Sequence, residues 1–138
     1  MKKHLFLMLT VLGIVSMFAS CSSDDDTVNS PIVGTWTTYD DIETGEITFS
    51  SNGTVTANST LKRNGAMKED VGTYFVSGTK LTINWQKART YNSISHEWSD
   101  YKDDAETVVI TYAIKNNTLI FLEMEGEESN QPIYYTRK

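Results

Sequence analysis

A single cysteine, Cys21, serves a chain of 138 residues. With no second thiol there is no intrachain disulfide, so stability must come from packing alone. Histidine is almost as scarce, with only His4 and His96. The chain therefore lacks the Cys/His sets of a transition-metal site. A hydrolase or transferase needs a nucleophile with its base, or two tuned carboxylates. Only His96, beside Glu97 and Trp98, offers a base, and a strand histidine near a loop is more often a surface residue. The expectation is a protein that is not an enzyme and needs no cofactor. Basic residues are also in deficit, 12 against 18 acidic ones, for a net charge of −6. That sign disfavours nucleic acid and direct adhesion to anionic lipid. Prolines number two, Pro31 and Pro132. No segment after residue 20 repeats at helical spacing.

What is present divides the chain in three. Residues 1–20 carry Lys2 and Lys3, then an apolar run from Leu5 to Ala19. A positive start before a short apolar segment is the form of a secretory signal peptide, and the run is shorter than the ~20 residues of a membrane span. Residues 21–30 are polar and acidic (Asp24, Asp25, Asp26) and read as a flexible tether. Removing the leader removes two lysines, so residues 21–138 hold 10 basic and 18 acidic side chains, near −8. Residues 31–138 are rich in Thr, Tyr, Ile and Val and punctuated by Gly and Asn-Gly, an all-β composition of one domain.

Phe18-Ala19-Ser20-Cys21 resembles the lipobox of bacterial lipoproteins. The resemblance implies diacylglyceryl attachment to the Cys21 sulfur, cleavage before it, and acylation of the new amino terminus. More than one chain gives a stable anchor, at about 0.8 kcal/mol per buried methylene. Phe18 departs from the usual Leu or Val. The Ser-Asp-Asp-Asp run resembles the short acidic signal that sends some Gram-negative lipoproteins to the outer face of the outer membrane. The implied location is therefore the outer membrane, lipid-anchored and surface-exposed, with its periplasmic face as the alternative.

The turns of the domain can be checked against one another, because partners across an antiparallel ladder share a face. A three-residue loop at 51–53 pairs Phe49 with Val55 and Ile47 with Ala57. A two-residue loop at Asn64-Gly65 pairs Ala57 with Gly72. One at Gly78-Thr79 pairs Val76 with Leu81, Tyr74 with Ile83, and Gly72 with Trp85. These registers place Ile47, Phe49, Val55, Ala57, Gly72, Tyr74, Val76, Leu81, Ile83 and Trp85 on one face. Residues 32–39 form the first strand, 89–98 a diluted one, 99–105 a loop, and 106–114 a strong strand. Asn116-Asn117 pairs Tyr112 with Phe121 and Ile114 with Leu119. It also sets Ile110 against Glu123, which demands an inward carboxylate or a bulge. The last strand is 133–137. Eight or nine strands in meander order would leave two raw edges unless the sheet closes. An antiparallel up-and-down β-barrel of about eight strands is the expected fold, and a two-sheet β-sandwich is the alternative.

Gly34-Thr35-Trp36 in the first strand, with a meander after it, resembles the Gly-x-Trp start of lipocalins. The runs from Ile47, Gly72, Leu81 and Tyr134 look like the small lipocalin-like domains of bacterial lipoproteins. The resemblance implies that Trp36 plugs a closed barrel end and that Arg137 packs across it, with Gly34 beside them. It departs in lacking the second lipocalin motif and a C-terminal helix. The inward aromatics Phe49, Tyr74, Trp85, Tyr112 and Phe121 either line a cavity for a small hydrophobic or amphipathic ligand or fill the barrel. A filled barrel would instead serve a surface protein partner, through loops such as 99–105. Asp100, Asp103, Asp104 and Glu106, and Glu123, Glu125, Glu127 and Glu128, are oxygen-rich runs without EF-hand spacing. They are expected to be solvated charge rather than calcium ligands.

Overall fold

The structure, a computed structural model, describes residues 30–128 and 131–138. The leader and residues 21–29 of the tether, Cys21 among them, lie outside the described residues. Among the described residues nine strands follow in order: β1 (Gly34–Tyr39), β2 (Glu43–Phe49), β3 (Thr54–Leu61), β4 (Met67–Ser77), β5 (Lys80–Asn92), β6 (Glu97–Trp98), β7 (Lys102–Lys115), β8 (Thr118–Met124) and β9 (Ile133–Arg137). All ladders are antiparallel, and β9 pairs with β1. The sheet therefore closes as an eight-stranded up-and-down barrel with β6 as an extra short piece. Closure settles the choice against a sandwich. β6 and β7 both lie on the same side of β5, with Trp98 opposite Tyr91 and Lys102 opposite Ala88. They act as one strand interrupted at 99–101.

Three of the expected registers hold: Phe49–Val55 with Ile47–Ala57, Val76–Leu81 with Gly72–Trp85, and Tyr112–Phe121 with Ile114–Leu119. The β3–β4 turn differs. Leu61 donates its amide to Ala66 O at 2.9 Å, and the loop spans four residues rather than two. Val55 therefore faces Gly72, and Ala57 faces Asp70. The slip is two residues, so every side chain keeps its face, but Asp70 now stands inside opposite Ala57. At β7–β8 the register shifts between Thr111 and Tyr112, which sets Met124 against Ile110 and Glu123 against Thr111. The bulge turns the methionine inward and the carboxylate outward.

Other boundaries move too. β1 begins at Gly34, two residues later than expected. The diluted segment 89–98 is not one strand: β5 runs through to Asn92, a turn follows, and β6 begins at Glu97. Most of the expected 99–105 loop is strand, because β7 starts at Lys102. Ladder hydrogen bonds to the long β5 hold these polar residues extended where their own alternation is weak.

One end of the barrel is sealed. Ile32, Trp36, Phe49, Val55, Leu81, Ile83, Ile110 and Leu119 are the largest fully buried side chains. Trp36 donates its indole N–H to Ile32 O at 2.8 Å, so its one polar atom is satisfied. The Arg137 guanidinium lies 4.1 Å from the Trp36 ring centroid. It also donates to Val33 O at 3.0 Å and Pro31 O at 2.7 Å. Gly34 leaves the room: a Cβ there would come within 2.6 Å of Arg137 Nη1. The structure thus brings Gly34, Trp36 and Arg137 into one floor. Among the described residues, every strand and core side chain comes from residues 32–137, and the sheet closes on itself. The closed barrel thus spans β1 to β9.

Candidate ligand cavity

Above the floor, the interior is partly filled and partly hollow. Phe49 and Tyr74 pack edge to face with ring centroids 4.9 Å apart. The Tyr74 hydroxyl donates to Ser50 O at 2.8 Å. Both are buried and occupy the lower barrel. Tyr112 packs against the core without reaching the hollow half. Trp85 and Phe121 do line a cavity of about 390 Å³. Of the five aromatics expected inside, two border open space and three fill.

The cavity has two kinds of wall. Ile47, Ile83, Val108, Ile110, Phe121 and Met124 make its apolar part. Toward the opening stand Glu43, Asp70, Glu106 and Glu127. The strand phase places most of these carboxylates. Glu43 is in step with Ile47 and Phe49 on β2, Asp70 with Gly72 and Tyr74 on β4, and Glu106 with Val108 and Ile110 on β7. Acidic residues in the inward phase of apolar strands were the signal for a polar mouth. The sequence reading assigned Glu106 to a solvated run and did not single out Glu43 or Asp70.

Asp70 is held at 2.8 Å from Lys68 Nζ, which also reaches Asp104 at 3.6 Å. The hydrogen bond to Asp70 raises the Lys68 ammonium above its ordinary value. Tyr135 also lines the cavity. Burial, and secondarily the charge of Glu43, raises its phenol above the ordinary value. Among the described residues, no ion pair engages Glu43, Glu106 or Glu127.

A second cluster sits outside the barrel, where β4, β5 and β6 extend. Arg89 donates to Glu69 at 2.7 Å and lies 4.6 Å from the ring centroids of both Trp98 and Tyr101. The Tyr101 hydroxyl donates to the same Glu69 carboxylate. Tyr91 packs on Trp98 with centroids 5.4 Å apart. These groups satisfy one another and hold the interrupted strand against β5. His96 sits in the adjoining turn with φ 57° and is exposed, its Nδ1 3.3 Å from the Tyr91 hydroxyl. Among the described residues, no three His, Cys, Asp or Glu side chains converge as a metal site.

Compared with known proteins, the chain matches no family model, and no curated protein or solved structure is significantly similar to it.

Proposed function

We propose that this chain is a lipoprotein anchored in the outer membrane through Cys21, whose barrel holds a small hydrophobic or amphipathic molecule without bond chemistry. The observation that carries the reading is the cavity of about 390 Å³ with an apolar interior wall. That size is at the small end of the roughly 300–1,000 Å³ typical of ligand pockets. Affinity would come from burying the ligand against Trp85, Phe121 and the aliphatic wall, at about 25 cal/mol per Å² of apolar area removed from water. The Gly34–Trp36–Arg137 floor supports the lipocalin-like resemblance, and the leader with its lone cysteine supports the location.

Two measurements test it. Residues 23–138 are titrated with lipids and smaller apolar compounds while tryptophan emission is followed. A saturable shift that disappears in Trp85→Phe is expected; no response to any compound refutes ligand binding. Metabolic labelling with palmitate should mark the full chain and not Cys21→Ser; equal labelling of both refutes the anchor.

The competing reading is a docking module for a surface protein. Exposed Tyr39 at the end of β1, with Ile42 and Ile94 in the connections between strands, favours it. It predicts partner capture that survives substitution of Trp85 and is lost on replacing those three exposed residues.

A further inference from the structure

The cavity is asymmetric in charge as well as in polarity. Six acidic residues border it, Glu43, Glu46, Asp70, Glu106, Glu125 and Glu127, and no lysine, arginine or histidine does. Three of the six are paired with a cation: Asp70 with Lys68 at 2.8 Å, Glu46 with Lys138 at 2.7 Å, and Glu125 with Lys80 at 3.6 Å. Glu43, Glu106 and Glu127 have no such partner among the described residues. A charge run alone would be only a solvated surface. Here Glu43, Asp70 and Glu106 keep the inward phase of their strands at a hollow whose remaining wall is apolar, so the head and the body of a ligand meet different chemistry.

We infer that the cavity selects amphiphiles with a cationic head, an amine or quaternary ammonium on a short apolar body, and rejects anionic ones such as fatty acids. The inference rests on the ligand-holding reading and specifies the ligand's charge. Trp85 and Glu106 are direct cross-strand partners that both border the cavity. An aromatic face and an unpaired carboxylate side by side attract the same cation, one through the ring quadrupole and the other through charge. The apolar body then lies along Ile83, Val108, Ile110 and Phe121. An anionic head would meet repulsion from Glu43 and Glu106 with no cation in the lining to offset it. The volume restricts the body to a short chain or a single ring system rather than a whole membrane lipid.

The test uses residues 23–138 and three probes with one tail: decyltrimethylammonium, decyl sulfate and decanol, all below their micellar range. Tryptophan emission and calorimetry report binding. The expected order is decyltrimethylammonium tightest, decanol next and decyl sulfate weakest, with at least a tenfold gap between the ions. Glu43→Gln with Glu106→Gln should shrink that gap several-fold while leaving decanol binding unchanged. Glu97→Gln with Glu123→Gln removes the same charge outside the cavity and should leave the gap intact. Equal binding of the two ions, tighter binding of the sulfate, or an equal loss in both double variants overturns the inference while the ligand-holding reading stands. Failure of all three probes to bind removes that reading as well.

Discussion

Gly72 faces Trp85 across β4 and β5, and small against large invites the idea that glycine makes room for an indole. The geometry assigns a different obstacle. A Cβ on Gly72 would stand 2.2 Å from Asn84 O, 2.9 Å from Asn84 C and 2.9 Å from Trp85 Cα, all backbone atoms of the neighbouring strand. Ordinary contact begins near 3.4 Å, so Gly72→Ala must part the two strands by about 1 Å. Overpacking of that kind costs about 1–3 kcal/mol, and each ladder hydrogen bond weakened beside it adds about 0.5–1.5 kcal/mol. A loss of about 3 kcal/mol is expected, a large share of the roughly 5–15 kcal/mol of a typical domain. For a domain of this size that lowers Tm by about 10–20 °C. Far-UV circular dichroism during heating, with urea unfolding at 25 °C, measures it. Gly78→Ala is the control: its φ is +61° with nothing within 4 Å, so only the left-handed backbone is penalised, about 1–2 kcal/mol. The decisive arm is Gly72→Ala in a Trp85→Ala background. Because backbone is the obstacle, removing the indole should not rescue the alanine, and the coupling should stay within about 0.5 kcal/mol. A Gly72→Ala protein as stable as the parent, or a rescue above about 1 kcal/mol, would refute this account.

Arg137→Ala removes two charge-assisted hydrogen bonds to the Pro31 and Val33 carbonyls and the stack on Trp36, so urea unfolding should show a loss of about 2–4 kcal/mol. Arg137→Lys should recover less than half of it, because a point charge lacks the planar fork; full recovery would contradict the geometry. Burial raises the phenols of Tyr74, Tyr112 and Tyr135. The folded state then keeps protons that the unfolded chain releases above about pH 10, so stability is intact below that and falls as pH rises through the folded values; a urea midpoint that does not move between pH 9 and 11 would contradict it. Arg89→Ala should loosen residues 87–102 alone, speeding amide exchange there about tenfold while barrel amides and cavity binding hold, since exposed cation–π and ion pairs contribute about 0.5–1 kcal/mol each.

Much of the barrel was legible because its inward face is written in β-branched and aromatic residues at a spacing of two. Phe49–Val55, Tyr74–Ile83 and Tyr112–Phe121 followed from loop length alone. Where the reading slipped at Asn64-Gly65, the error was an even number of residues, so the faces survived while the neighbours changed. The arm at 87–102 was harder. Its inward positions Ala88, Thr90 and Asn92 carry no hydrophobic signal, and its order comes from Arg89, Trp98 and Tyr101 meeting across strands. Which inward residues fill and which leave space depends on barrel taper and strand tilt in three dimensions. Hence Phe49, Tyr74 and Tyr112 could not be told from Trp85 and Phe121 by pattern. The carboxylate mouth was readable in principle, since Glu43, Asp70 and Glu106 keep the phase of the core.

The floor joins residues at opposite extremes of the domain: Arg137 reaches Val33 across 104 positions. No shorter stretch of chain can seal it. While the polypeptide is being made, β1 and the newest strand are both unpaired edges, and the hydrophobic face of the meander stays open until residue 137 is free. Contacts of such long range make for slow folding and a long-lived, adhesive intermediate. The same stitch that closes the finished barrel leaves its precursor with both ends of the meander open, so shielding by chaperones matters most before closure.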